Sequence, residues 1–240
     1  MEKRIRIPRL GFQPACKDCA AAGHGPFCGL SPEALAGLDR SKSVGRYPRG
    51  QILFQAGARA LGVHCVSSGL VKLYRVGAGG REQILRLAGP GDLLGHRAFL
   101  GERVHDHDAE AMSDVEVCFL PAEVLTPLVA GAPPLLRTLL RGLAGELAEL
   151  EGRLLERSQQ RMGGRLGAFL LRLAGAAEGA ARVELPFSRQ ELADYLGAAP
   201  ETVIRGLAGL VKRKLIRLRG RFVEIPDLVR LRAELDDRAA

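Results

Sequence analysis

Between Val44 and Leu120, apolar and polar residues alternate over short distances and glycine interrupts the alternation. The stretches "QILFQAG", "GVHCVSSGLVKLYRV", "REQILRLAG" and "VEVCFLP" mix β-branched and apolar residues, with turns at Gly57, Gly69, "GAGG" and "GPGD". Period-two patterning with turns at short, regular spacing predicts antiparallel strands closed into a β-sandwich or β-roll. Beyond it the period changes. "GAPPLL" supplies a stop followed by prolines suited to a helix start, and Leu136, Leu139, Leu140, Leu143, Leu147, Leu150 and Leu154 recur at spacings of three and four. That spacing draws one apolar seam along a long helix. The opposite face carries Arg141, Glu146, Glu149, Arg153 and Glu156, so the seam is expected to meet a second copy of the helix in a homodimer.

A second helical stretch, "QQRMGGRLGAFLLRLAG", begins after Ser158, and a boundary is expected near 157–161. Then comes "SRQELADYLGAAPETVIRGLAGLVKRKLI". Ser188 is a good N-cap with Glu191 three residues on, the pattern of a capping box. Gly197 ends this helix, and Pro200 opens the next where a missing N–H costs nothing. Val203, Leu207 and Leu210 give the second helix a buried face, leaving Glu201, Thr202, Ile204 and Arg205 outside. This is the pattern of a helix-turn-helix. Glutamate accepts from cytosine N4 and arginine forks onto guanine O6 and N7, so positions 201 and 205, one turn apart, can read neighbouring base pairs, while Thr202 suits a phosphate. In "LIRLRGRFVEIP" apolar and basic residues alternate around Gly220, a small wing whose Arg217, Arg219 and Arg221 can follow a phosphate backbone.

Charge agrees with that assignment. The 240 residues carry a net +8, and from Glu201 to Glu224 seven basic residues, Lys212 among them, face only those two glutamates. The N-terminal "MEKRIRIPRLGF" lacks the apolar core of a signal peptide, and no segment approaches the roughly 20 apolar residues that span a bilayer, so a cytoplasmic protein without a membrane partner is expected. In that reducing compartment five cysteines, an odd number, point away from a disulfide scaffold and toward metal binding, redox chemistry or burial. Three of them stand in "CKDCAAAGHGPFC". Cys65, in "GVHCVSSG", shows no local partner and is expected to be plain core packing.

A glycine-rich β-roll, a long dimer helix and a C-terminal winged helix, in that order, resemble the CRP/FNR family of bacterial transcription regulators over nearly the whole chain. The matching motifs are "GPGDLLGHRAFL", the 136–154 seam and "LADYLGAAPETVIRGLAGL". The resemblance implies an α+β fold: an N-terminal cysteine segment with a short helix (1–43), a cyclic-nucleotide-binding-like β-roll of the jelly-roll type (44–130), a dimerisation helix (131–157) and a winged helix-turn-helix (158–240). It implies no catalytic site, and as partners a second copy, an inverted-repeat operator in double-stranded DNA and RNA polymerase. It extends the DNA contacts to Ser188 and Arg189. Glu201 and Arg205 match the family's base-reading pair, while Ala199 replaces the hydroxyl often found at the turn.

Cyclic-AMP-binding members carry a Gly-Glu pair after the "GD" turn and an Arg-Ser pair about ten residues later. Here Gly95-His96 and "GERVHDHDAEA" stand instead, and a phosphate facing Asp106 and Asp108 meets like charge. FNR-type members hold an oxygen-labile 4Fe-4S cluster on an N-terminal cysteine group and one cysteine in the late β-roll. By that resemblance Cys16, Cys19, Cys28 and Cys118 are the ligands, with oxygen or nitric oxide as the signal. Eight residues separate Cys19 from Cys28, longer than the best-known FNR pattern. The alternatives are zinc on the same cysteines or with His24, thiol redox chemistry, haem on His24, His64, His96, His105 or His107, and, from a different class, a metal-dependent enzyme using the histidines of "GERVHDHDAEA". For that last stretch a solvated loop between strands is the expectation.

Overall fold

Ser31 caps a helix that opens at Pro32, its Oγ accepting the Ala34 N–H at 3.3 Å, and Pro32 fills the first helical position. The computed structural model describes residues 16, 25–27, 29–175 and 179–236. In chain order these form α1 (Pro32–Ser41), β1 (Ser43–Tyr47), β2 (Ile52–Phe54), β3 (Gly62–Ser68), β4 (Val71–Val76), β5 (Glu82–Ala88), β6 (Leu93–Leu94), α2 (His96–Leu100), β7 (Asp108–Ala111), β8 (Val115–Pro121), α3 (Ala122–Gly131) and α4 (Pro133–Gln159). There follow α5 (Met162–Ala174), β9 (Ala181–Glu184), α6 (Arg189–Leu196), α7 (Pro200–Lys212), β10 (Arg217–Arg219), β11 (Phe222–Ile225) and α8 (Leu228–Asp236). The fold is α+β, as the change of period predicts. Contacts divide the chain into two units: residues up to Leu73 with Leu87–Leu143, and Tyr74–Arg86 with residues from Ala144 onward.

The first unit is built on the β-roll. Its two four-stranded sheets run β1-β8-β3-β6 and β2-β7-β4-β5, and the outer ends of β4 and β5 group with the second unit. Between the sheets lie Phe54, Val66, Val71, Leu73, Ala109, Val115 and Val117, all buried. On the outer face of the first sheet a separate core joins Val63 and Leu120 to Leu38 of α1, Leu125 of α3 and Leu135 and Leu139 of α4. The two cores follow from the period of a strand, because β3 and β8 send alternate side chains to opposite faces. The strands approach closely at Gly62, where a Cβ would stand 2.1 Å from the Leu120 carbonyl oxygen.

The stretch "GERVHDHDAEA" departs from the expected solvated loop. His105 and His107 are 5% and 2% exposed. Their alternation places both rings against Phe54, with His105 stacked at 3.8 Å between centroids and His107 edge-on at 5.7 Å. His64 of β3 joins from the same interior face, 5.8 Å from Phe54 and 4.9 Å from Phe119. Tertiary packing converts these imidazoles into aromatic filler.

In the second unit, Phe169, Phe187 and Tyr195 form an aromatic triangle with centroids 5.2–5.7 Å apart. Arg153 lies 5.1 Å from the Tyr195 ring and donates to the Leu85 carbonyl, while Gln83 donates to the Asp194 carbonyl at 2.6 Å. The break between α4 and α5 falls at Gln160–Arg161. Among the described residues no helix is long and apolar enough to cross a membrane.

The histidine packing fixes a pH response. Burial lowers the His64 imidazole from 6.5 to about 4, and charge on His105 pushes the same way; burial also lowers His105. Between pH 6.5 and 4 the unfolded chain therefore binds the protons that the folded β-roll refuses, and stability falls as pH falls. In calorimetry from pH 7 to pH 4, His64→Leu is expected to remove about 3 kcal/mol of that acid sensitivity at most. An unchanged slope would mean that His64 titrates as a solvated group.

Candidate nucleic-acid interface and thiol site

α6 begins with a complete capping box: the Glu191 N–H donates to Ser188 Oγ at 3.1 Å and the Ser188 N–H to Glu191 Oε2 at 2.6 Å. Gly197 closes it in the left-handed region (φ 60°, ψ 50°), a conformation glycine adopts without strain. Ala199 then leads into α7 with Pro200 at the first turn and no side-chain cap. Val203, Leu207 and Leu210 are buried, which turns Glu201, Ile204 and Arg205 outward, with Thr202 half-buried beside them. Gly206 allows α7 to lie close on α5, for a Cβ there would stand 2.6 Å from Leu166 Cδ1.

Behind α7, β9, β10 and β11 form a three-stranded antiparallel sheet in the order β10-β11-β9, with Gly220 at the turn (φ 61°). Lys212, Arg217, Arg219 and Arg221 are exposed, as is Ser188, and Arg189 is half-buried. Two of the wing arginines face carboxylates, Arg219 with Glu224 at 3.1 Å and Arg221 with Glu184 at 3.8 Å. Arg213 is turned away from the wing, bound to Glu234 of α8 at 2.9 Å. This surface presents a carboxylate, a guanidinium and a string of cations on one helix and one hairpin, the chemistry of base edges and phosphates.

The leucine seam divides. Leu139 is 6% exposed, buried in its own unit's core. Leu143 is half-buried, and Leu136, Leu140, Leu147, Leu150 and Leu154 are exposed, Leu154 by 69%. Leu155, 55% exposed, extends this apolar stripe and lies outside the expected seam because it breaks the three-four spacing.

Of the expected sulfur ligands, Cys19 and Cys28 lie outside the described residues, as does His24. Cys16 and Cys118 both lie within electrostatic reach of Lys42. The Cys16 N–H donates to Asp39 Oδ1 at 2.8 Å, and Lys42 Nζ lies 2.7 Å from the same oxygen and 3.7 Å from Cys16 Sγ. The Lys42 side chain is only 2% exposed. Burial, followed by the hydrogen bond to Asp39, pushes the Cys16 thiol up to about 11; Lys42 opposes the rise, and Cys118 is near enough to add to it. For Lys42, burial works against the charge, but Asp39 and the sulfurs of Cys16 and Cys118 hold its ammonium above the usual lysine value.

Cys118 sits in the middle of β8, in register with Val44 of β1 on one side and with Cys65 of β3 on the other. Cys65 packs against the outer core, as expected, and also stands opposite Cys118: the sequence places the two 53 positions apart, and only strand register shows them opposed. Cys16, Cys65 and Cys118 are all in the thiol form. Among the described residues no group of three or more His, Cys, Asp or Glu side chains is arranged to hold a metal ion. His96 lies buried at the start of α2, and Asp106 is engaged by Arg97 at 2.7 Å and His107 Nδ1 at 2.6 Å.

Comparison with known proteins agrees with this geometry. Residues 44–131 match the cyclic nucleotide-binding domain family and residues 164–234 the Crp-like helix-turn-helix domain family. The chain is 33% identical to the transcriptional activator protein Anr of Pseudomonas protegens over 96% of each chain. It is 32% identical to the CRP-like cAMP-activated global transcriptional regulator of Mycobacterium tuberculosis, over 89% of this chain and 97% of that one. The solved structure of FixK2 from Bradyrhizobium japonicum superposes with a TM-score of 0.73 at 27% identity, over 80% of this chain and 96% of that one. With a nucleotide-binding-type β-roll followed by an outward-facing Glu201–Arg205 helix, the chain belongs to the CRP/FNR family of DNA-binding transcription regulators and is not an enzyme.

Proposed function

We propose that this regulator responds to oxygen, or to nitric oxide, through a 4Fe-4S cluster held by Cys16, Cys19, Cys28 and Cys118. The observation that carries the reading is the buried Lys42 ammonium, 3.7 Å from Cys16 Sγ and within electrostatic reach of Cys118. The donor set suits the group: four thiolates are what such a cluster takes, and a buried cation offsets the negative charge that thiolates bring into a low-dielectric site. When bound, the cluster supplies a redox-labile link between the N-terminal segment and the β-roll. The chain's own residues do the rest: Asp39 orients the Cys16 backbone and Lys42, and β8 holds Cys118 on a rigid strand. Cyclic nucleotide sensing has less support, because Asp106 already occupies Arg97 near α2. Zinc on the same thiols is the second reading of this donor set.

The output is DNA binding by a homodimer acting in the cytoplasm with RNA polymerase. The exposed stripe of Leu136, Leu140, Leu147, Leu150 and Leu154 pairs with its copy, and Leu143 lies at its edge. Two α7 helices about 34 Å apart then enter successive major grooves of an inverted repeat. Arg205 holds a guanine and Glu201 a cytosine; Thr202, Ser188, Arg189, Lys212, Arg217, Arg219 and Arg221 serve the backbone.

Anaerobically purified protein is expected to contain iron and sulfide and to bleach in air, and to lose the iron when Cys16, Cys19, Cys28 or Cys118 is replaced by alanine. Elemental analysis and the visible spectrum decide, and stoichiometric zinc without iron in protein from iron-replete cells would refute the cluster. Leu147→Asp, at a position 57% exposed, leaves the single chain's packing intact but sets two carboxylates across the two-fold axis. Its mass by light scattering is expected to fall to that of one chain under conditions where the wild type is a dimer. Arg205→Ala is expected to cost about 1 to 3 kcal/mol per half-site and relax selection at one base pair. Arg219→Ala weakens all sequences alike and lowers the salt dependence, as a phosphate contact does. Selection from a random pool with both variants separates the two roles; an unchanged motif for Arg205→Ala would remove α7 as the reader.

A further inference from the structure

Register places the sulfur of Cys118 beside a second cysteine that the cluster does not use. In β3 and β8 the pairs run Gly62↔Pro121, Val63↔Leu120, His64↔Phe119 and Cys65↔Cys118. Directly opposed residues of an antiparallel pair project to the same face, so Cys65 and Cys118 both point out of the roll, with Val63 and Leu120. The type of pair follows from the hydrogen bonds. The Ala122 N–H donates to the Leu61 carbonyl at 2.8 Å, which makes 61 and 122 a hydrogen-bonded pair. Alternation then makes Gly62–Pro121 a pair without hydrogen bonds, consistent with proline's missing donor, and returns Cys65–Cys118 to the hydrogen-bonded kind.

Such pairs hold their Cα atoms about 5.5 Å apart, inside the range of roughly 4.4 to 6.8 Å that a disulfide spans. Their Cβ atoms start about 5 Å apart, whereas a disulfide prefers about 3.8 Å, so bridging pulls the strands together by about 1 Å. A bridge closed against that resistance forms under an oxidant and is easily reduced again, the behaviour of regulatory rather than structural disulfides. Access is graded in the useful direction. Cys65 is half-buried and Cys118 is 9% exposed, so a small oxidant meets Cys65 first.

We propose that Cys65 and Cys118 form a reversible cross-strand disulfide under peroxide stress. The Cys65 sulfur attacks one oxygen of hydrogen peroxide, the O–O bond breaks, and one water leaves with Cys65 as the sulfenic acid. The Cys118 sulfur then attacks the Cys65 sulfur, the S–O bond breaks and a second water leaves. Two thiols are oxidised by two electrons, one peroxide is reduced, and the two thiol protons end in the waters. The bridge itself needs no metal. Its consequence rests on the cluster reading above: a bridged Cys118 is withdrawn from the ligand set, and the protein cannot take up iron and sulfide until a thiol reductant releases it.

The test uses the full-length protein, chelated free of metal, with a small excess of hydrogen peroxide. Intact mass is expected to fall by about 2 Da per chain, as two thiol hydrogens leave. Non-reducing peptide maps should join the segments carrying Cys65 and Cys118, and dithiothreitol should reverse the link. A Cys16→Ser, Cys19→Ser, Cys28→Ser triple variant should form the same link, and Cys65→Ser should not. Recovery of Cys118 as an alkylatable thiol, or its bridging to an N-terminal cysteine in place of Cys65, overturns the proposal. Iron reconstitution afterwards tests the consequence separately: oxidised wild type should refuse iron and oxidised Cys65→Ser accept it. A link without iron uptake by any form would leave the disulfide standing and remove the cluster.

Discussion

The pairing of β3 with β8 is the constraint on which the β-roll unit depends. Each strand has one face in the roll and one beneath the helices, so a single register sets both cores. Inward, it opposes His64 to Phe119 and completes the ring packing around Phe54. Outward, it opposes Cys65 to Cys118 and lays Val63 and Leu120 under Leu38 and Leu125. A slip of one residue would send the thiols into the apolar interior and the imidazole out beneath the helices. Gly62 guards against such a slip, since the approach of the Leu120 carbonyl admits no side chain there.

The DNA-binding half obeys more local rules, and for that reason much of it is legible in the sequence. A capping box, a left-handed glycine and a proline at a first helical turn are decided within a few residues, and α6 and α7 begin and end where those signals stand. Outward placement of Glu201 and Arg205 follows from the helical period once Val203, Leu207 and Leu210 are buried. The wing is legible for the same reason, its alternation turning at Gly220. The leucine seam is legible as a stripe but not as an allegiance. Nothing in its spacing tells Leu139, covered by its own unit, from Leu147, which is bare.

What escapes the sequence is decided by contacts between distant segments. Polar imidazoles in "GERVHDHDAEA" suggest a solvent-facing loop, yet β7 and the residues before it close over Phe54 and bury them. Lys42 gives no signal at all. Its role as the buried ammonium between Asp39 and two thiols arises because α1 ends there, on top of the sheet edge formed by β1 and β8. Cys65 resembles filler because it stands between Val63 and Val66 in a short strand with no cysteine nearby in sequence, and its opposite number is a matter of register alone.

The wing carries one more implication. Arg219 and Arg221 rest against Glu224 and Glu184, carboxylates borne on neighbouring strands of the same small sheet. An incoming polyanion therefore does not meet naked cations; it must outcompete groups tethered to the site at high local concentration. The exchange trades one anionic neighbour for another, so each of these arginines contributes less than an unpaired cation would, and what it contributes falls on every duplex sequence alike. Glu224 and Glu184 thus act as placeholders, holding the two guanidiniums out along the sheet until a polyanion takes over.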